Sequence, residues 1–265
     1  MVFSPMIEPE LNTALVIAHP GHELRVFHWL ETARPKVFVL TDGSGRSGAS
    51  RLPSTTRILD EVHAARDSIY GPITDAQAYA ALLNHEFETF IELARELASR
   101  LIDGRINLVA GDALEGYNPT HDVCRLIINT AIRMVNGAGQ MQVRNFDFPL
   151  IGSPGSPSAN GDGAEIDEID LRLDDEAFTR KMSAARAYVE LDAEVEAAIR
   201  QNRLEAFRVE CLRPVTDAGA RLEFKDKPYY ESYGEEQVAK GHYSHVIRFR
   251  EHFLPLVQAM ARCTL

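Results

Sequence analysis

Short apolar runs alternate with amphipathic stretches through the first half of the chain. Ala14 to Ala18 is unbroken apolar sequence that stops at His19-Pro20-Gly21, which predicts a buried strand running into a turn. Leu24, Phe27 and Leu30 then recur at helical spacing. Lys36 to Leu40, rich in β-branched and aromatic residues, predicts a second strand. Ser54-Thr55-Thr56 supplies N-cap hydroxyls for a helix through Tyr70, with Ile58, Val62 and Ala65 on its apolar face and Gly71-Pro72 closing it. A second helical stretch covers Asp75 to Leu101. Ile106 to Ala110 predicts a third strand, followed by a polar loop, Gly111 to Thr120. The next helix carries Val123, Leu126, Ile127, Ala131 and Met134 at helical spacing. This order predicts an α/β fold, a parallel sheet with helices on both faces.

Further on, Gln142 to Leu150 reads as extended, and residues 152–163 and 165–175 as a loop crossing the surface. A long helix from about Asp174 to Arg203 presents Phe178, Met182, Ala185 and Val189 on one face, and Leu204 to Leu212 reads as a strand. The tail holds Tyr229, Tyr230, Tyr233 and Tyr243, a strand-like run with Val246, Ile247 and Phe249, and a last helix. Without internal repeats or a linker, residues 1–265 read as one domain, with 204–265 as a C-terminal elaboration.

Composition narrows the function classes. The 265 residues, 45% hydrophobic and 25% charged, are those of a soluble globular protein able to bury a sizeable core. A formal charge of −11 argues against a nucleic-acid or anionic-membrane partner. Cys124, Cys211 and Cys263 form no CxxC pair, which suits a reducing compartment. With no signal-peptide pattern and no apolar run of membrane-spanning length, the expected location is the cytoplasm and no membrane insertion is expected.

Candidate chemistry gathers at one sheet edge. His19 and His22 follow the first strand, and Asp42 and His121 leave the same carboxyl edge, where open α/β sheets bind ligands. Three imidazoles there suit a divalent metal. The glycine-rich loop Thr41 to Gly48 lacks the Gly-Lys-Ser/Thr ending of a P-loop and reads as a site rim or a linker. Arg46, Arg51 and Arg57 stand where they can take an anionic group of a substrate, although Arg57 and Glu61, one turn apart, also read as a surface ion pair. His85 reads as a surface histidine, and the His242/His245 pair as pocket lining or packing.

The order of these motifs resembles the PIG-L/LmbE family of zinc-dependent N-deacetylases, over about Leu15 to Leu204. The family's Ala-His-Pro-Asp-Asp-Glu box corresponds to Ala18-His19-Pro20-Gly21-His22-Glu23, its Thr-x-Gly to Thr41-Asp42-Gly43, and its Arg-x-x-x-Glu to Arg57 and Glu61. Its His-Pro-Asp-His box corresponds to Asn118-Pro119-Thr120-His121, and its later helix to the stretch with Lys181, Ala184 and Tyr188.

The resemblance implies a Rossmann-like fold and a zinc ion held by His19, His22 and His121, with imidazole replacing the family's carboxylate at position 22. It implies hydrolysis of an N-acylated, typically acetylated, amino-sugar conjugate, a small-molecule partner, with Arg57, Glu61 and Arg46 on the substrate side. The family's general base falls on Gly21, so Glu23, Asp42 and Asp122 are the candidate replacements. Loss of that base, and Thr120 in place of an aspartate, support a rival reading: a non-catalytic binding or scaffold relative with a retained metal site. A nucleotide-binding transferase rests on the glycine-rich loop alone.

Overall fold

The computed structural model describes residues 11–45, 47–139, 141–152, 168–215, 224 and 226–264. In chain order the elements are β1 (Thr13–Ile17), α1 (Phe27–Ala33), β2 (Lys36–Thr41), α2 (Leu52–Val62), β3 (Ala65–Ile73), α3 (Asp75–Leu83) and α4 (Glu88–Asp103). They continue with β4 (Leu108–Asp112), α5 (Pro119–Gly137), β5 (Arg144–Phe148), β6 (Ile169–Arg172), α6 (Asp175–Arg186) and α7 (Asp192–Asn202). β7 (Val209–Pro214), α8 (Tyr229–Ala239) and α9 (Leu254–Ala261) complete them.

The sheet runs β3-β2-β1-β4-β5-β7-β6. The first five strands are parallel, and β7 and β6 close the sheet antiparallel. Because strand side chains alternate between faces, β1 feeds two cores. Ala14, Val16 and Ala18 join α3, α4, α5, α8 and α9 on one side. Leu15 and Ile17 join α1, α2 and α6 on the other. Gly111 in β4 permits close approach: a Cβ there would sit 2.5 Å from both Ile128 Cδ1 and Val16 O, so α5 lies tight against the sheet. Among the described residues, no helix is long and apolar enough to cross a membrane.

Several elements depart from the pattern reading. The helix expected through Tyr70 ends at Val62, where His63 adopts φ 59 and caps it, and Ala65–Ile73 is an edge strand against β2. An edge strand needs apolar residues on few positions, so its polar sequence hid it. The stretch from Asp75 splits at His85, again left-handed (φ 58), into α3 and α4. The long helix from Asp174 breaks at residues 187–191, and β7 begins only at Val209, after a 3-10 turn. Part of the acidic stretch taken as loop is β6, paired through Ile169 to Leu212. Phe249 to Phe253 is a π-helical turn leading into α9, not a strand.

A buried ion pair ties the antiparallel edge to the first helix. Lys181 Nζ on α6 lies 2.8 Å from Glu210 Oε1 on β7 and donates to Arg25 O at 3.0 Å. Glu210 also accepts from the backbone amides of His28 and Trp29 at 2.9 Å each. Both charged groups have hydrogen-bond partners beyond each other, the condition under which buried charge is tolerated.

Candidate metal and hydrolase site

The strand order reverses between β1 and β4, and the region beyond the carboxyl ends of the strands at such a switch point is where open α/β sheets bind ligands. His19 and His22 leave β1 there, and His121 stands in the first turn of α5, just after β4. Pro119 at the first helical position and the Asn118 side chain, accepting from Thr120 N at 2.8 Å, fix where that helix starts. The three imidazoles form a triangle with ring centroids 5.3, 5.0 and 4.6 Å apart.

Two of the rings are held through Nδ1 by partners from other strand ends. His22 Nδ1 lies 2.8 Å from Asp112 Oδ2, at the end of β4, and the same oxygen accepts from Ala18 N at 2.7 Å. His19 Nδ1 lies 2.7 Å from Thr41 Oγ1 and 3.0 Å from Asp75 Oδ1. A carboxylate on one ring nitrogen is the usual support of a metal-ligating histidine, leaving Nε2 for the ion. His121 Nδ1 is buried and, like Asp112 Oδ1, finds no partner among the described residues.

Electrostatics favour the neutral form of two of these rings, His121 and His22. Burial drives His121 well below its ordinary value, helped by His22, His19 and Arg51. Burial also lowers His22, against the pull of Asp112. Burial alone would raise Asp75, yet its contacts with His19, Thr41 and Gly45 N hold it well below the usual carboxylate range. Neutral imidazoles are what a metal requires.

The ring centres are spaced as around one ion, but the ring nitrogens are not: no choice of one nitrogen from each histidine brings all three within 4.8 Å of one another. Imidazoles around a tetrahedral zinc, with N–metal bonds of about 2.0–2.1 Å, place ring centroids roughly 5 Å apart. The rings stand edge to face, however, and must turn to share an ion. Among the described residues the set of three potential ligands whose atoms all lie within 4.8 Å of one another is Glu168, Asp170 and Cys211, beside β6 and β7. Two of those are exposed carboxylates.

The remaining predicted residues divide. Glu23 is fully buried, accepting from Gly21 N and from Thr55 Oγ1, both at 2.7 Å. It clamps the turn between the two histidines. Asp42 accepts from Ser44 N and Oγ and from Asp75 N, shaping the glycine-rich loop. Asp122 Oδ1 accepts from the amides of Glu115 and Gly116, while its Oδ2 is buried without a partner among the described residues. Arg57 and Glu61 form an exposed pair at 3.0 Å, with Arg57 also donating to Ala187 O. They are not brought to the histidines. Arg46 lies outside the described residues. Arg51 is the cation whose charge reaches His22 and His121, its guanidinium donating to Gly43 O.

Asp75 and Asp112 were missed. Asp75 reads in sequence as a helix-start residue, and Asp112 follows a strand by two residues. Neither carries a local signal for a histidine partner so far back along the chain. The glycine-rich loop offers little as an anion cradle, since Ser44 N, Gly45 N and Gly48 N already donate to Asp42, Asp75 and Ser44 O.

Gly21, where the family's base would fall, is closed. Its φ of +107 lies in the region that glycine tolerates, and a Cβ there would overlap the Leu191 side chain. Tyr188 packs beside it, fully buried, its hydroxyl 2.9 Å from Thr55 Oγ1. Gly21→Asp is therefore expected to destabilise the fold by about 2–4 kcal/mol through strain and overpacking and to add no base. Thermal melting checks this; an unchanged melting temperature would show that the turn relaxes freely.

Burial pushes the Glu23 carboxyl up to about 7 despite its two hydrogen bonds. A raised carboxyl favours the protonated fold, so its contribution is complete below about 4.5, the unfolded value, and lost as pH rises through about 7. The shift corresponds to something on the order of 3 kcal/mol. In metal-free protein, Glu23→Gln is expected to flatten the fall in melting temperature between about pH 5 and 8. A slope equal to wild type would assign the pH dependence elsewhere.

No family model matches the chain, and no curated protein matches it. Solved structures do resemble it. A deacetylase triple mutant involved in the teicoplanin biosynthetic pathway superposes with a TM-score of 0.51 at 17% identity, over 78% of this chain and 100% of that one. The conserved protein TT1542 from Thermus thermophilus superposes with a TM-score of 0.52 at 15% identity, over 80% and 100%. At such identities the likeness is one of fold.

Proposed function

We propose that the chain is a metal-dependent hydrolase that removes an N-acyl group, acetyl in the simplest case, from an amino-sugar conjugate. The observation that carries this is the triangle of imidazoles at the switch point, two buried and one partly buried, with two of them anchored through Nδ1 to carboxylates. His19, His22 and His121 would hold one divalent ion, zinc by the donor set. When bound, the ion supplies Lewis acidity toward an acyl carbonyl and toward water.

The chain's own groups supply positioning and proton transfer. Asp75 and Asp112 fix the tautomers of His19 and His22. We assign the proton acceptor to Asp112, whose Oδ1 is buried beside His22 without a partner among the described residues. Asp122 is pushed up to about 7 by burial, so Oδ2 can carry a proton near neutral pH, where an amine leaving group needs one. Glu23 and Asp42, with oxygens committed to the turn and the loop, position other groups. Arg51 takes the substrate-side role that the resemblance gives to Arg57.

The closing of Gly21 favours the rival, a binding relative without turnover. Acetate release from a panel of N-acetylated sugars by zinc-loaded protein separates the two. Metal retained with no release from any member would leave the non-catalytic reading standing.

A further inference from the structure

Five tyrosines form a continuous ladder. Tyr117 stacks on Tyr229 with centroids 4.9 Å apart and planes 3° from parallel. Tyr229 stacks on Tyr233 at 5.9 Å, Tyr233 meets Tyr243 edge to face at 6.5 Å, and Tyr243 meets Tyr79 at 5.8 Å. Both ends belong to elements that carry the site. Tyr117 lies in the loop whose next residue, Asn118, caps the helix bearing His121, and α8 is pinned to that loop by Tyr230 N donating to Gly116 O at 3.2 Å. Tyr79 lies on α3, whose first residue is Asp75, the partner of His19.

Leaving such rings in water is costly unless something covers them. Tyr117, Tyr229 and Tyr233 are 42%, 51% and 37% exposed. The ladder is also electrically quiet. Lys227 is paired to Glu235 at 2.5 Å, and Arg248 reaches Glu235 at 2.8 Å and Glu231 at 3.6 Å. With its neighbouring cations neutralised by carboxylates, this wall has little attraction for a phosphate or carboxylate. Ring faces with hydroxyl edges suit a ligand that is apolar on its faces and polar on its rim. A neutral pyranose, with axial C–H bonds on its faces and hydroxyls around its edge, has that chemistry.

We propose that the tyrosine ladder is the subsite for the neutral sugar rings that extend the substrate beyond its acylated residue. This rests on the hydrolase reading above, and it makes the part of the substrate that meets the ladder an uncharged run of sugar rings, longer than one sugar on this side.

Calorimetric binding of N-acetylglucosamine and of its β-1,4-linked trimer to zinc-loaded protein tests it, with acetate release followed in parallel. The trimer is expected to bind about 10-fold or more tightly than the monomer. Tyr229→Ala and Tyr117→Ala should erase that advantage, and Tyr229→Phe should keep most of it, with melting temperature and zinc content unchanged in all three. A trimer that binds no better than the monomer, or an advantage unaffected by both alanine variants, overturns the proposal. So does a Tyr229→Ala change in sedimentation from a larger species to monomer, which would make the ladder a contact between copies of the chain. Tyrosine-dependent binding without acetate release would remove the hydrolase reading and leave the ladder's role; release with tyrosine-independent binding would do the reverse.

Discussion

Purified after growth with zinc, the wild-type protein is expected to hold about one equivalent, and His19→Ala or His121→Ala less than about a tenth. His121 is the sharper case. Its ring is buried, driven toward the neutral form, and holds an Nδ1 with no partner among the described residues. A methyl group there removes one of three ligands and leaves the other two too few for tight binding. Hydrolysis should fall by at least about 10³-fold, since the Lewis acid leaves with the ligand. The melting temperature of metal-free protein should change little, because Nδ1 makes no hydrogen bond to the described residues of the fold. His242→Ala, an exposed histidine of the C-terminal part, is the control that keeps its metal. Zinc retained in both ligand variants and lost in Cys211→Ser would move the metal to the Glu168, Asp170 and Cys211 cluster and sink this reading.

The fold was legible wherever burial imposed a pattern. β1, β2 and β4 are buried along their apolar stretches, so continuous apolar runs announced them, and α5 showed its helical period. β3 was lost because an exposed edge strand imposes no such pattern; Ala65, Arg66 and Ser68 are exposed. The breaks at His63 and His85 were lost for another reason. Both residues are left-handed and exposed without being glycine, so no glycine marked either break.

The candidate site followed the same division. His19, His22 and His121 lie together, as expected of residues that follow strand ends the pattern revealed. Arg57 and Glu61 were drawn in by a motif whose spacing is equally that of an ordinary surface pair on a helix, and the surface is where they lie. Arg51, earlier in the chain, reaches the histidines because Leu52 starts α2 and the chain enters it across Gly43. Asp75 and Asp112 act through contacts that cross the sheet, and a linear pattern has no means of recording those.

Asp112→Asn is expected to lower kcat by about 10²-fold or more at saturating zinc. The side chain is fully buried, with Oδ2 committed to His22 Nδ1 and Ala18 N, and Oδ1 without a partner among the described residues. Asparagine preserves its volume but removes the charge and one acceptor oxygen, so the fold and the turn at Ala18 should survive. Loss of the carboxylate behind His22 should also weaken metal binding, typically about 10–100-fold. A zinc titration of activity separates the two effects. If excess zinc restores the wild-type rate, Asp112 only orients His22, and the proton acceptor must be sought at Asp122 Oδ2. If the deficit persists at full metal occupancy, proton transfer lies with Asp112. Asp122→Asn should then spare metal affinity, lower kcat by a comparable factor and remove the limb of the pH–rate profile near 7, because burial holds that carboxyl neutral and its hydrogen bonds go to the amides of Glu115 and Gly116.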